Sequence, residues 1–110
     1  MPTLKIHGVP AKKVQEFAGQ MSKDLSLVFE TEEDNITIEV IESTFFRFGK
    51  VDEKPYPMVD VVAFKRTEIM ENQAAQVITD ILRDFGFEYS EVIYHHPELE
   101  DYYCDGIASI

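Results

Sequence analysis

The sequence is short of cysteine, of basic residues and of long apolar runs, and each shortage removes a class of protein. Cys104 is the one cysteine, so no internal disulfide can form and the paired spacing of a zinc site is missing. Lys and Arg number 10 against 21 Asp and Glu, a formal net charge of −11. A protein that grips a nucleic-acid backbone replaces condensed counterions with a basic face, and none can be assembled here. Anionic membrane surfaces are disfavoured for the same reason. No apolar run could span a bilayer, and the N-terminus lacks the basic-then-apolar order of a secretion signal. The expectation is a cytoplasmic chain that meets neither nucleic acid nor membrane. A Gly-rich phosphate loop, a catalytic-serine motif and a metal box are also absent, so neither a cofactor nor a metal is expected.

What is present is ordinary globular material. The chain has 110 residues, 45% hydrophobic and 28% charged, which fits a single domain, residues 1–110, with one real core. Thr3-Leu4-Lys5-Ile6-His7 alternates polar and apolar as a half-buried strand does. Gly8 and Pro10 punctuate it, and Pro10 suits the first turn of a helix. Val14, Phe17, Ala18, Met21, Leu25 and Val28 then form one apolar helical stripe. A polar stretch from Glu30 to Asn35 ends the helix. Ile36, Ile38 and Val40 begin a second strand that runs on towards Phe46. Gly49 and the charged segment through Pro57 read as a long turn or hairpin loop.

The second half repeats the plan. Val59 through Phe64 is nearly continuously apolar, which predicts a strand covered on both faces. Thr67 is a natural N-cap, with Glu68 and Glu71 favourably placed in the first helical turn. Met70, Ala74, Val77, Ile78, Ile81, Leu82 and Phe85 form the second stripe, and Gly86 is the expected stop. Val92-Ile93-Tyr94 makes a fourth strand, and the tail from Pro97 to Ile110 shows no clear period. Two βαβ units, about 2–48 and 57–96, therefore share one sheet, at a spacing of roughly 55 residues that is too long for a solenoid repeat. The expected fold class is α+β: a four-stranded mixed sheet with two helices on one face. The other sheet face is expected to be apolar and to be covered by self-association.

Three features together resemble the tautomerase superfamily, which includes 4-oxalocrotonate tautomerase and macrophage migration inhibitory factor. They are the Met1-Pro2 start running straight into a strand, the tandem βαβ plan, and the stretch from Ile36 through Phe48-Gly49 to Phe64. The chain resembles most closely an uncharacterised bacterial branch, through Ser43-Thr44-Phe45, Pro57-Met58-Val59-Asp60-Val61, Phe64-Lys65-Arg66 and Asp101-Tyr102-Tyr103. The resemblance spans essentially the whole chain. It implies a homotrimer around a central axis with sites near subunit interfaces, and for this branch no established reaction.

The resemblance and the residues together single out Pro2. Removal of Met1 leaves a secondary amine at the terminus, and desolvation beside an apolar wall penalises its charged form. Such an amine could take a proton next to a carbonyl, or add to a carbonyl as a nucleophile. The plain alternative is a proline that merely caps a terminus. Lys65 and Arg66 end the third strand, where a guanidinium could pair with a substrate carboxylate or simply neutralise a nearby acid such as Glu68. Tyr94 and His95 could polarise a carbonyl oxygen of a small ligand. His95 and His96 point opposite ways on a strand and make a poor metal pair. Asp60, in the most apolar strand, is either a buried acid with a raised pKa or a structural carboxylate. His7 reads as structural, and Tyr102, Tyr103 and Cys104 as pocket or interface residues. Family members carry cationic helpers after the first helix, where this chain has the acidic Glu30 to Asp34.

Three functional readings follow. One is a tautomerase- or isomerase-type enzyme acting on a small carbonyl or keto-acid compound, with Pro2 as general base. Another is a non-catalytic trimeric binding or structural protein. The last keeps the same element order in a ferredoxin-like, small-molecule-binding dimer.

Overall fold

Helical periodicity and turn chemistry account for most of the elements in the computed structural model, which describes residues Met1–Ile110. Strand β1 (Thr3–His7) leads through Gly8 into α1 (Ala11–Phe29). Pro10 is the N-cap rather than a helical residue, and its carbonyl accepts from Lys13 and Val14 at 3.0 and 3.1 Å. Val14, Phe17, Met21, Leu25 and Phe29 are the buried stripe of α1. The helix ends without glycine. Glu30 takes the left-handed conformation (φ 53°), and its N–H and that of Thr31 both close on the Ser26 carbonyl, the two bonds that cap a helix C-terminus. A 3-10 turn (Glu33–Asn35) then feeds β2 (Thr37–Ile41).

Past β2 the chain makes a hairpin of β3 (Phe46–Arg47) and β4 (Lys50–Val51). Phe48 and Gly49 between them both have positive φ, 55° and 75°, as a two-residue hairpin turn requires. Of the long turn or hairpin loop expected from Gly49 to Pro57, the structure has the hairpin, with a short loop after it. Strand β5 (Met58–Val62), helix α2 (Glu68–Asp84) and β6 (Glu91–His95) complete the second unit. The Thr67 hydroxyl accepts from the Met70 N–H at 3.2 Å, and Gly86 has φ 100° just after the helix. Both ends of α2 are as the sequence predicts. The tail holds a 3-10 turn (Leu99–Asp101) and a second hairpin, β7 (Tyr103–Cys104) with β8 (Ile107–Ala108).

The main sheet has the order β2-β1-β5-β6. Strands β1 and β2 pair in parallel, β5 and β6 pair in parallel, and β1 meets β5 antiparallel. Each βαβ unit keeps its own two strands adjacent. A ferredoxin-like sheet interleaves the strands of its two units, so this topology sets the dimer-forming alternative aside. Leu4, Ile6, Val59 and Val61 are fully buried beneath α1 and α2 in one core with Phe17, Met21, Leu25, Ile78 and Leu82. The Phe17 and Phe85 rings lie 5.4 Å apart and tie the two helices together.

The opposite sheet face differs from expectation. Strand β5 alternates, with Val59 and Val61 buried and Met58, Asp60 and Val62 partly exposed; in the single chain it is covered on one face only. That uncovered face is mostly polar. Thr3 and Thr37 share a 2.8 Å hydroxyl hydrogen bond, and Lys5, Glu39, His7, Asp60 and His95 occupy the register around them. The nearly continuous apolar run Val59–Phe64 hid this, because alternation turns Val62 outward together with Asp60 and leaves Val59 and Val61 inside.

Candidate active site

Register gathers most of the candidate residues at one end of the sheet. Thr3 pairs with Val62 in the antiparallel β1–β5 ladder, and Val62 pairs with His95. Pro2 therefore lies opposite Ala63, where β5 and β6 end, and the Ala63 N–H donates to the His95 carbonyl at 3.0 Å. The Pro2 carbonyl accepts from Thr37 at the start of β2. The Pro2 ring is fully buried on the helix side with Leu4 and Ile6. With Met1 attached, its nitrogen is an amide and carries no base.

Lys65 and Arg66 lie just beyond β5, in the connection to α2. Lys65 does neutralise an acid, but the acid is Glu71, at 3.2 Å. Arg66 is different. Its guanidinium donates to the Phe64 carbonyl at 2.9 Å and sits 4.9 Å from the centre of the Phe29 ring, meeting no carboxylate. A cation over an aromatic face, with bonding capacity to spare, is the group at this end best suited to hold an anion.

Tyr94 is half-buried, and its hydroxyl donates to the Glu71 backbone carbonyl at 2.8 Å. Burial first, then the Glu71 charge, pushes its pKa up to about 12, so the phenol stays protonated. His95 is turned to the other face of the sheet, where its Nε2 meets Asp60 Oδ1 at 3.0 Å. Of the five candidates, Pro2, Arg66 and Tyr94 face the helix side of this sheet end. Lys65 is at its rim and His95 is across the sheet.

Two clusters were not foreseen. In the first, Glu71 is 7% exposed and gathers the site. Its carboxylate accepts from His96 Nε2 at 2.7 Å, from the Arg66 backbone N–H at 3.1 Å and from Lys65. Burial alone would raise the Glu71 pKa, but these donors outweigh it and hold the carboxyl below its ordinary value. The His96 ring stacks on Tyr94, 5.5 Å away and 9° from parallel.

In the second cluster, on the open face, Asp60 lies between His7 Nε2 at 2.9 Å and His95 Nε2 at 3.0 Å, and His7 Nδ1 reaches Ser43 Oγ at 3.2 Å. Here too burial raises the carboxyl pKa, and the hydrogen bonds from His95 and His7 turn the net shift downward from 3.8. Of the two readings of Asp60, the geometry favours the structural carboxylate, held ionised by its two histidine partners. A folded-state pKa below the unfolded value means that Asp60 stabilises the fold above about 3.8. That stability is lost as pH falls through the folded-state pKa. Asp60→Asn is expected to flatten the acid limb of stability in urea unfolding measured from pH 6 to pH 3. Parallel curves for the two chains would contradict this.

A concavity of about 540 Å³ lies at the opposite end of the sheet, between Gly8–Pro10, Ile41–Thr44 and Pro55. Neither Pro2 nor Arg66 lines it, and Glu42 is the one ionisable residue in its lining. The chemistry therefore places the candidate site at the Pro2 end. No helix is long and apolar enough to cross a membrane.

The sequence model of a family described as a domain of unknown function (DUF1904) matches residues 1–108. The chain belongs to the DUF1904 family. A crystal structure of a DUF1904 domain from Sebaldella termitidis is 25% identical, covering 98% of this chain and 99% of that one, with a TM-score of 0.91. A protein of unknown function from Vibrio cholerae is 30% identical over 97% of this chain and 86% of that one, at a TM-score of 0.86. A fused 4-OT, solved as an asymmetric trimer, covers 98% of this chain and 96% of its own at a TM-score of 0.84, with 11% identity. At that identity the likeness is one of fold. This DUF1904 chain thus shares its fold with the fused 4-OT. No curated protein matches it.

Proposed function

We propose that this DUF1904 protein is a tautomerase-type isomerase that moves a proton on a small keto acid, with the Pro2 amine as general base once Met1 is removed. The observation that carries the reading is the β1–β5 register, which brings a fully buried Pro2 ring to the same sheet end as an Arg66 guanidinium that meets no carboxylate. A terminal amine titrates near neutrality, and the apolar surroundings of the ring would favour its neutral form near pH 7. Arg66 would hold the substrate carboxylate in a planar, paired contact, with Lys65 at the rim as a second cation. Tyr94 contributes differently from a free hydroxyl. Its proton is given to the Glu71 carbonyl, so it serves as a wall and as the platform under His96. His95 supports the site from the other sheet face through Asp60.

A homotrimer belongs to the same proposal, since the fused 4-OT of like fold is a trimer. The runner-up is a trimeric protein that binds a small carboxylate without turning it over. The placement of a concavity of about 540 Å³ away from Pro2 favours that reading. Exchange between the enol and keto forms of phenylpyruvate separates the two, because only the enzyme speeds it above the spontaneous rate.

A further inference from the structure

A base alone leaves one half of a tautomerisation unassigned, because the oxygen must give up or receive a proton as the carbon does the opposite. The helix side of the Pro2 sheet end holds one histidine. His96 follows β6, stacks on Tyr94 at 5.5 Å, and gives its Nε2 to Glu71 Oε2 at 2.7 Å. Glu71 is ionised and nearly buried, and a carboxylate in that state can only accept. Nε2 therefore carries a proton, and Nδ1 is the ring nitrogen left to gain or lose one. Nδ1 makes no hydrogen bond within the chain. The His96 side chain is 28% exposed, open enough to exchange protons with water.

We propose that His96, oriented by Glu71, is the second proton-carrying catalytic residue of this site, acting on the substrate oxygen while Pro2 acts on carbon. The inference rests on the reading of Pro2 as the base. In the enol-to-keto direction the enol O–H proton passes to the Nδ1 lone pair of His96. The oxygen electrons close the C=O bond, and the C=C electrons take a proton from the Pro2 ammonium. The substrate loses one proton and gains one. His96 and Pro2 then reset by exchange with water, and the reverse direction retraces these steps. Glu71 is a positioning residue: it fixes the ring tautomer and stabilises the imidazolium, as a carboxylate does for a catalytic histidine elsewhere.

The test compares phenylpyruvate exchange in the native chain, His96→Gln, Glu71→Gln and Pro2→Ala across pH. His96→Gln is expected to lose roughly tenfold to hundredfold in kcat with little change in KM, and to lose one limb of the pH profile. Glu71→Gln should lower kcat by a smaller factor and leave KM unchanged, since the amide can offer His96 Nε2 a donor in place of an acceptor and no longer fixes one tautomer. If His96→Gln keeps the native kcat and profile while Pro2→Ala does not, the inference fails and the Pro2 reading stands. If Pro2→Ala is equally fast, the reading fails and takes the inference with it. Nitrogen NMR of the native imidazole decides the matter if a variant does not fold. The Nε2–H form with bare Nδ1 supports the proposal, and the opposite tautomer overturns it.

Discussion

Pro2→Ala is expected to slow enol–keto exchange of phenylpyruvate by about 10- to 100-fold in the processed chain. Alanine at that position still leaves an amine, so the effect isolates what proline adds. The ring is fully buried and its carbonyl is held by Thr37 of β2, so the proline is anchored at the sheet end with φ fixed by its own ring. A terminal alanine is free to rotate and solvate, and misplacement of a reacting group by about 1 Å is enough to cost a hundredfold. Thermal unfolding of the variant serves as the control. The ring is a small part of the core, so the fold should persist. Equal exchange rates in the two chains would remove Pro2 from the mechanism.

Gly8→Ala is expected to destabilise the protein by about 2–4 kcal/mol, from the left-handed backbone and the overpacking together. Gly8 has φ +83°, and a Cβ built there would come within 2.5 Å of the Tyr56 carbonyl oxygen. That oxygen is backbone and cannot swing aside as a side chain could. The turn from β1 into α1 passes so close to the segment before β5 that only glycine fits. Gly19 makes the opposite case. It lies inside α1 with nothing within 4 Å of its Cβ position, so Gly19→Ala should stabilise by about 0.5–1 kcal/mol. Urea midpoints at unchanged slope measure both. A neutral Gly8→Ala would mean that the β1–α1 turn is not where the structure puts it.

Periodicity made the two βαβ units readable, because the core stripes of α1 and α2 and the paired residues Leu4–Ile6 and Val59–Val61 are governed by local rules of spacing. The sheet order was not readable in that way. Both orders bury the same stripes, and the choice depends on long-range pairing. The tail hairpin was within reach: Asp105-Gly106 is a standard two-residue turn signal, and both residues have positive φ, 50° and 77°. It went unseen because the strands on either side are two residues long.

The candidate site was half legible. Pro2, Lys65 and Arg66 stand at a sheet end that the strand order brings together. Glu71 was read as a helix-dipole residue, although counting back from Ala74 and Ile78 puts it on the buried stripe. A carboxylate on such a stripe needs donors, and that demand pointed to His96, Lys65 and the Arg66 N–H. Alternation correctly sent His95 and His96 to opposite faces, but not to their acids, Asp60 and Glu71, which lie far away in sequence. His7 belongs with Asp60 only through the antiparallel β1–β5 register, which no local pattern encodes.

The claim beneath all of this is that Pro2 presents a free secondary amine at the head of β1. Intact-mass measurement of the protein purified without an N-terminal tag tests it directly. A mass short by one methionine residue is the predicted result. Full retention of Met1 would leave the Pro2 nitrogen an amide, and the proposed base would not exist.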